Sequence, residues 1–511
     1  MLPAAKTLAD VLEVAEGSRT ALVCPERGIR VNYHSLRRQV ATLADTLAGA
    51  GIRRGDRVAT ALPNGLPAAV SFLAAARAAT AAPLNPGYRY DEFRFFLEDT
   101  EARLLLCPPE GAKEARRAAA ELSIPVLPIE MNDHGVCHLP QESKRSHAEP
   151  PAPHDVALVL HTSGSTGRPK RVPLQHASLA YSARSIAQTY SLTAEDVALC
   201  LMPLFHVHGL MASLMATLVS GGAVVIPAKF DTHTFWRYVK DYRVSWYSGV
   251  PTMHQLLLAR ATGKRRPAEA ASLRFIRSCS TPLSVDVIHK MEEVFGVPLV
   301  EAYGMTEAAH QMASNPLPPA ERRPGSVGMP QGVRVSILGA EGKFLKKSHR
   351  GEIVIQGPSV FHGYEGNTEG NDEAFAAGWF RTGDEGYLDS HGYLHITGRL
   401  KEQINRAGEK ISPREIDRVL LACPLVAEAV TYGFPHATLG EEVAAAVVLK
   451  EPVSNLGQRA ESVLLKYCQE RLATFKCPKK IHVVESIPQT ATGKIRRNTV
   501  AAALLDGKVN P

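Results

Sequence analysis

Residues 156–170 read VALVLHTSGSTGRPK, an apolar run that leads directly into a loop rich in hydroxyl groups and glycines. The run Val156–Leu160 is typical of a buried β-strand. Glycines allow backbone N–H groups to turn inward onto phosphate oxygens, hydroxyls donate further hydrogen bonds, and Lys170 supplies positive charge. The Walker spacing GxxxxGK[ST] is absent. The segment predicts a phosphate-binding loop of another type. The alternative, a flexible Ser/Gly surface loop, needs neither the strand nor the closing Pro169-Lys170.

The sequence on both sides of this loop predicts an α/β fold. Short β-branched apolar runs alternate with longer helical patterns such as Leu283 to Phe295, which favours mainly parallel sheets. The strand candidates are Ala157–Leu160, Ala223–Ile226, Val244–Tyr247, Arg274–Arg277 and Leu299–Ala302. Beyond about Gly325, short strands with glycine turns predict a β subdomain. The last block has α+β character and is long enough to form a domain of its own.

Length and composition indicate a globular protein of at least two domains, because 511 residues are too many for one core. We expect a large N-terminal domain of residues 1–399 and a small mobile C-terminal domain of residues 400–511. The formal charge of +7 comes without a dense basic run, which argues against nucleic-acid binding. No signal segment, membrane span or C-terminal peroxisomal tripeptide is visible, and the eight cysteines form no CxxC pair. A reducing, cytoplasmic location is expected.

Three further motifs follow the loop along the sequence. Residues 301–307 read EAYGMTE, residues 382–384 read TGD with GR at 398–399, and residues 488–497 read PQTATGKIRR. Alone, the first is also typical of a helix start and the second of a turn. Their joint order and spacing are far more specific than any one of them. Together they resemble the adenylate-forming superfamily, which includes acyl-CoA synthetases, luciferases and peptide-synthetase adenylation domains.

The resemblance implies that MgATP converts a carboxylic acid into an acyl-adenylate, whose acyl group then passes to coenzyme A. It implies that Tyr303 faces the adenine, that Thr306 contacts the α-phosphate and that Glu307 holds Mg²⁺, which prefers oxygen ligands. Lys494 would stabilise the charge that develops on the α-phosphate. The residues expected around ATP and CoA are Thr162, Ser163, Gly164, Ser165, Thr166, Gly167, Lys170, Ser280, Thr281, Pro282, Glu301, Ala302, Tyr303, Gly304, Asp384, Arg399, Lys401, Gly408 and Lys410.

One residue departs from the family pattern. Arg171 follows Lys170 where the family usually has glycine. If that position required a positive φ or close backbone packing, arginine would cost stability or shift the loop. ATP binding is the property that this departure would affect.

A hinge and a thiol tunnel are implied for the second half-reaction. Arg399-Leu400-Lys401 resembles the family hinge, with Lys401 as the pivot about which the small domain would rotate and withdraw Lys494. Gly408 and Lys410 would then line the pantetheine tunnel. Residues 204–209, LFHVHG, resemble the motif whose aromatic residue gates that tunnel, here His206. The alternative for a lone histidine is a satisfied core residue.

Further stretches resemble oxalate–CoA ligases, among them residues 203–210, 273–280, 306–310, 314–318, 405–413 and 475–479. The resemblance implies an acyl pocket with His208, Ser280 and His310 on its wall. These side chains suit a small carboxylate better than a fatty chain, because a buried carboxylate needs hydrogen-bond donors. Oxalate is the expected acid. The alternatives are another short-chain, medium-chain or aromatic acid, an enzyme that loads a carrier protein, and a non-catalytic nucleotide-binding module.

Overall fold

The structure, a computed structural model, describes residues 5–139, 146–162, 169–261, 268–407, 409–436, 438–450, 459–488 and 497–505. Helices separate most of the strands along the chain. Those described are α1 (Leu8–Leu12), α2 (Tyr33–Gly49), α3 (Leu66–Ala78), α4 (Tyr90–Thr100), α5 (Lys113–Glu121), α6 (His176–Thr189), α7 (Ala216–Leu218), α8 (Phe235–Asp241), α9 (Pro251–Arg260), α10 (Val285–Phe295), α11 (Thr368–Ala374), α12 (Pro413–Leu421), α13 (Ala460–Gln469) and α14 (Arg497–Leu505). A π-helix spans His208–Met215 immediately before α7.

Two large sheets form the N-terminal part of the chain. Their strands, with a short hairpin of β7 and β8, are β1 (Thr20–Cys24), β2 (Ile29–Asn32), β3 (Arg57–Thr60), β4 (Thr80–Pro83), β5 (Ala102–Cys107), β6 (Val126–Pro128), β7 (Glu130–Met131), β8 (Cys137–His138), β9 (Val156–Thr162), β10 (Lys170–Gln175), β11 (Val197–Cys200), β12 (Ala223–Val225), β13 (Trp246–Gly249), β14 (Phe275–Ser278), β15 (Leu299–Met305), β16 (His310–Ser314) and β17 (Met329–Pro330). In the described residues, one sheet has the order β17-β16-β15-β14-β13-β11-β12-β1-β2 and the other β10-β9-β4-β3-β5-β6.

Most neighbours in these sheets are parallel, as the sequence predicted. The central pairs β11–β13, β13–β14 and β14–β15 are parallel, and so are β3–β4, β3–β5 and β4–β9. Each predicted strand coincides with an observed one to within about three residues, which is the usual uncertainty of element boundaries. The uncharged stretch Val207 to Ala228, split by Gly221-Gly222, predicts a buried helix followed by a strand, and it contains the π-helix, α7 and β12.

Apolar packing explains the layered arrangement. Helix α3 buries nearly all of its residues, because it packs against β4 and β9 of one sheet and β1 of the other. A helix that is apolar on every side needs such a position between two layers. Helix α10 begins after Ser284, whose hydroxyl accepts from the Val287 N–H, and ends at Gly296 with φ +65°.

The rest of the chain forms a β subdomain and a small α+β unit. The strands are β18 (Arg334–Leu338), β19 (Gly351–Gln356), β20 (Phe375–Ala376), β21 (Trp379–Leu388), β22 (Leu394–Arg399), β23 (Ile404–Arg406), β24 (Glu409–Ile411), β25 (Val426–His436), β26 (Gly440–Leu449) and β27 (Lys480–Val483). Strands β18 to β22 form one sheet and β23 to β27 another. The predicted fold class, a large α/β domain with a β subdomain followed by a small α+β domain, is confirmed. The exact boundary at residue 399 stays a prediction.

Candidate active site

Side chains from the larger sheet and from the β subdomain meet at Asp384. Tyr303, on β15, donates its phenol hydrogen to the Asp384 carboxylate over 2.5 Å. Arg399 Nε donates to the other carboxylate oxygen over 2.9 Å, since the two residues are partners across β21 and β22. Burial raises the pKa of the Tyr303 phenol well above its usual range, so it remains a donor. Three residues predicted to contact adenine and ribose therefore lie together.

A second cluster lies where β9 approaches the turn after β15. Glu307 is buried, and its Oε1 accepts from the Thr162 hydroxyl over 3.2 Å and from the Tyr364 phenol over 3.0 Å. The ammonium group of Lys170 lies 4.4 Å from the centre of the Tyr364 ring. Three predicted phosphate and metal residues thus surround a tyrosine that sequence reasoning missed. In the sequence, Tyr364 looks like any core aromatic.

Glu307 fits the magnesium ion that the family resemblance implies. Mg²⁺ is usually held by one or two carboxylates together with substrate phosphates. The buried Glu307 carboxylate supplies one hard oxygen ligand, and the Thr162 hydroxyl lies beside it. Within the described ranges, no group of three or more His, Cys, Asp or Glu side chains could hold a metal ion. A cation bound at Glu307 would take its other ligands from the nucleotide and water.

The three predicted substrate residues form one cluster. The rings of His208 and His310 stack with their centres 4.9 Å apart, and His208 Nδ1 lies 3.2 Å from Ser280 Oγ. Both histidines are buried. His208 is the first residue of the π-helix. This conformation is rare in proteins, and where it occurs it often lies at a functional site. The cluster has the polar donors that the sequence predicted for a small acid.

Backbone strain is concentrated at the same cluster. Ser280 has φ +79° and His310 has φ +100°, in a region that residues other than glycine rarely adopt. Such strain persists only where the surroundings fix it, and it is frequent at active sites. Gly304 makes the His310 position possible, because a Cβ built at Gly304 would lie 2.1 Å from the His310 carbonyl oxygen. Gly304, predicted to contact the cofactor, is therefore also required for the close packing against His310.

Behind this cluster lies Arg277, which sequence reasoning did not select. It is on β14 and fully buried, with 0% of its surface exposed. Its guanidinium contacts Tyr190, Ser248, His208, His310 and Gln311. The signal in the sequence was the second arginine of the predicted strand Arg274–Arg277, which follows two apolar residues. Such a residue is expected to be paired or functional, because arginine is almost never fully buried otherwise.

The other described residues of the predicted site lie around these clusters. Thr306 and Glu301 are buried, and the Glu301 carboxylate accepts from the Gly325 N–H over 2.9 Å. His206 precedes the π-helix, and its Nδ1 accepts from the His208 N–H over 3.2 Å. Ala302 is paired with Ser314, Thr281 and Pro282 follow Ser280, and Lys401 is exposed in the turn after β22.

Several predicted residues lie outside the described part of the chain. They are Ser163, Gly164, Ser165, Thr166, Gly167, Gly408 and Lys494, together with the side chain of Lys410. Their roles stay predictions.

Arg171 occupies an extended strand position. It is on β10, opposite His161 on β9, so the position does not require a positive φ. Its guanidinium donates to the Asp99 carbonyl over 2.6 Å and to the Glu101 carboxylate over 3.0 Å. Glu365 completes the group, with its carboxylate 4.0 Å from Arg171. The expected cost of replacing glycine is therefore offset by ion pairs that a glycine could not make.

Two known protein families match this chain. A family described as "AMP-binding enzyme" matches residues 12–365, and one described as "AMP-binding enzyme C-terminal domain" matches residues 415–494. The chain belongs to the AMP-binding enzyme family. The predicted superfamily membership is confirmed, and the first match includes all the described residues of the phosphate and acid clusters.

Relatives of this AMP-binding enzyme include two plant proteins. It is 44% identical to a probable CoA ligase, CCL9, of Humulus lupulus, over 95% of this chain and 94% of that protein. It is also 44% identical to an oxalate–CoA ligase of Arabidopsis thaliana, over 90% of each chain. The predicted enzyme class, an AMP-forming acid–thiol ligase, is confirmed, with ATP and CoA as substrates and Mg²⁺ as the cofactor. The identity of the acid is a finer question.

The AMP-binding enzyme also resembles solved structures. It superposes on ATP-bound MatB from Rhodopseudomonas palustris with a TM-score of 0.89 at 30% identity, covering 98% of this chain and 99% of that one. The apo form of MatB gives a TM-score of 0.78 with the same identity and coverage. In the described residues, we find no helix with the length and apolar character needed to span a bilayer.

Proposed function

We propose that this AMP-binding enzyme is an oxalate–CoA ligase, which converts oxalate, ATP and CoA into oxalyl-CoA, AMP and diphosphate. The observation that carries the proposal is the cluster of His208, Ser280 and His310. Its buried imidazoles and hydroxyl are suited to a small acid with a second carboxylate. A second carboxylate can accept hydrogen bonds from this polar wall, whereas a fatty chain cannot. The oxalate–CoA ligase among the relatives supports the same choice.

In the first half-reaction, a carboxylate oxygen of the acid attacks the α-phosphorus of ATP, and diphosphate leaves. Thr162 and Lys170 would orient the phosphates, while Tyr303, Asp384 and Arg399 would hold the adenosine. Glu307 would hold Mg²⁺, which neutralises phosphate charge when bound. Lys494 would stabilise the added negative charge in the transition state.

In the second half-reaction, the CoA sulfur attacks the acyl carbon, the thiol loses its proton, and AMP leaves with the bonding electrons. Rotation at Lys401 would withdraw Lys494 and bring Gly408 and Lys410 to the pantetheine path. His206, two residues before the first residue of the π-helix, would line the entrance beside His208. A lid that moves between two steps needs only a few hinge residues.

An acid panel tests the proposal. Purified enzyme is incubated with ATP, Mg²⁺, CoA and, in turn, oxalate, malonate, a benzoate or a C8 acid, with AMP and thioester measured separately. Oxalate should give the highest kcat/KM. A higher value for the benzoate or the C8 acid would disprove oxalate. AMP release with no CoA-dependent product would instead favour a carrier-protein loader, and no AMP release with any acid would favour a binding module.

His310→Ala and Lys494→Ala separate the two parts of the proposal. His310→Ala should lower kcat/KM for oxalate more than for a longer apolar acid, since only oxalate needs the imidazole. Lys494→Ala should abolish adenylation but largely spare CoA attack on preformed oxalyl-adenylate. Equal loss of both half-reactions in Lys494→Ala would contradict the rotation at Lys401.

A further inference from the structure

Arg277 presents an unusual charge in the centre of the molecule. Its side chain is fully buried, and its hydrogen-bond partners include hydroxyl, amide and imidazole groups. Among the described residues, no Asp or Glu carboxylate forms an ion pair with it, whereas nearby Arg274 pairs with Asp196 over 2.5 Å. A buried cation without a counter-charge is unfavourable unless its environment is completed by another group.

The guanidinium determines which atoms of its neighbours can donate, because it carries N–H donors and no acceptor. Its Nη2 lies 3.1 Å from His310 Nε2, so that nitrogen must accept. Its Nη1 donates to Ser248 Oγ over 2.9 Å. The His310 ring is therefore neutral, with its proton on Nδ1.

The same reasoning extends through Ser248 to the acid cluster. Arg277 Nη1 also lies 3.4 Å from His208 Nε2, so this nitrogen accepts, and the Ser248 hydroxyl donates to it over 2.7 Å. The His208 proton then resides on Nδ1, which donates to Ser280 Oγ over 3.2 Å. The Ser280 oxygen accepts this bond, so its own hydroxyl hydrogen is available to donate a further hydrogen bond. Arg277 thus orders a chain of donors that ends at Ser280.

We propose that Arg277 determines acid specificity, by acting through His208, Ser280 and His310 to select acids with a second anionic group. The positive φ angles of Ser280 and His310 hold the ends of this relay in fixed positions. A substrate anion beyond them supplies the counter-charge that the described protein groups do not. The inference deepens the proposed oxalate–CoA ligase function and rests on the same pocket.

A purely structural role for Arg277 makes a different prediction. The Tyr190 phenol accepts from Arg277 Nε over 2.8 Å, so the arginine also connects β14 to the residue that ends helix α6. If that contact were its whole role, a substitution would lower activity on every acid in proportion. Acid preference, measured as a ratio of kcat/KM values, separates the two.

The test compares oxalate with oxamate, in which an uncharged amide replaces one carboxylate at nearly constant shape. Wild-type kcat/KM should favour oxalate by roughly 100-fold, as expected for a charge partner in a buried site. Arg277→Met should lower kcat/KM for oxalate by about 100-fold and change that for oxamate by less than about threefold. Arg274→Met is the matched control: it removes an arginine beside the same strand and should leave the oxalate-to-oxamate ratio unchanged.

Each outcome bears on one of the two proposals. If oxalate is used and Arg277→Met lowers both acids equally, Arg277 has no role in specificity, while oxalate–CoA ligase activity stands. If oxalate is not used but malonate is preferred over malonamate through Arg277, the proposed acid fails and the specificity inference survives. If Arg277→Met does not fold, Arg277→Lys should retain a preference for oxalate. Equal use of oxalate and oxamate by the wild type overturns the inference without any variant.

Discussion

Ser280 combines a hydroxyl with a strained backbone, and the two contributions can be separated. At φ +79°, any side chain with a Cβ is strained by roughly 1–2 kcal/mol, whereas glycine is not. Ser280→Gly should therefore be more stable than Ser280→Ala by about 1 kcal/mol, after allowing for the greater unfolded-state entropy of glycine. Both variants should lose oxalate activity, because both lack the hydroxyl. Thermal melts and kcat/KM for oxalate check this; equal melting temperatures would show that the backbone is unstrained.

Glu301 gives a pH-dependent prediction. Burial raises the pKa of its carboxyl from an ordinary 4.5 to about 8. The folded state therefore binds a proton that the unfolded state has lost between these values, so this group makes folding less favourable as pH rises from about 4.5 to 8. Glu301→Gln should be more stable than wild type by about 3 kcal/mol at pH 7, and the gain should disappear near pH 4.5. Denaturant unfolding at both pH values measures it; a gain independent of pH would contradict it.

At the scale of elements, the β9–β10 hairpin depends on Arg171. Its side chain is mostly buried and lies near carboxylates of α4 and of the segment before α11. Arg57 pairs with Glu365 in the same group. Arg171→Gly should lower the free energy of unfolding by about 2 kcal/mol, because partly buried carboxylates lose a partner. It should also raise KM for ATP, since Lys170 is adjacent.

Arg171→Lys is the matched variant for this hairpin. It keeps the charge but cannot bond the Asp99 carbonyl and the Glu101 carboxylate in the same planar geometry, so its effects should be smaller. Unfolding curves and ATP kinetics for both variants provide the measurement. Unchanged stability in Arg171→Gly would mean that the ion pairs contribute nothing.

Features that depend on neighbouring residues could be predicted from the sequence, whereas features that depend on contacts between distant residues could not. Strand β14 and helix α10 follow from apolar periodicity. The π-helix at His208 was predicted only as a helix, because its extra residue per turn has no clear sequence signature. Arg277 and Tyr364 depend on residues far away in the chain, such as Tyr190 and Glu307, which pattern reading cannot bring together.

At the scale of the molecule, a short segment joins the small domain to the rest of the chain, and ion pairs fix its position. Glu402, just after the predicted pivot Lys401, accepts from Arg497 Nε over 3.1 Å. Arg497 also donates to Asp417 over 2.6 Å and is mostly buried. Next to the predicted lysine loop, the sequence suggests a surface charge for Arg497, and its burial shows that this interpretation is wrong. It connects the start of the small domain to α14, the helix that follows the predicted lysine loop.

The observed arrangement has contacts that a rotation at Lys401 would break. The Ser412 hydroxyl donates to the Thr397 carbonyl over 2.7 Å, and Gln403 donates to Glu385 over 3.3 Å. The chain is more similar to ATP-bound MatB, with a TM-score of 0.89, than to its apo form, with 0.78. Because ATP is consumed in the first half-reaction, we expect this arrangement to serve adenylation.

Gly398 offers a way to disfavour this arrangement alone. A Cβ built there would lie 2.7 Å from Ser412 Oγ, closer than real contacts allow. Overpacking of about 1–3 kcal/mol would move the equilibrium away from this arrangement, so Gly398→Ala should slow adenylation roughly tenfold. Thioester formation from preformed acyl-adenylate should be nearly unchanged.

The control is a double variant. Since Ser412→Ala removes the clashing oxygen, adding it to Gly398→Ala should restore adenylation to the level of Ser412→Ala alone. Single-turnover assays of each half-reaction measure this, and equal slowing of both steps would show that the Gly398 contact does not distinguish them.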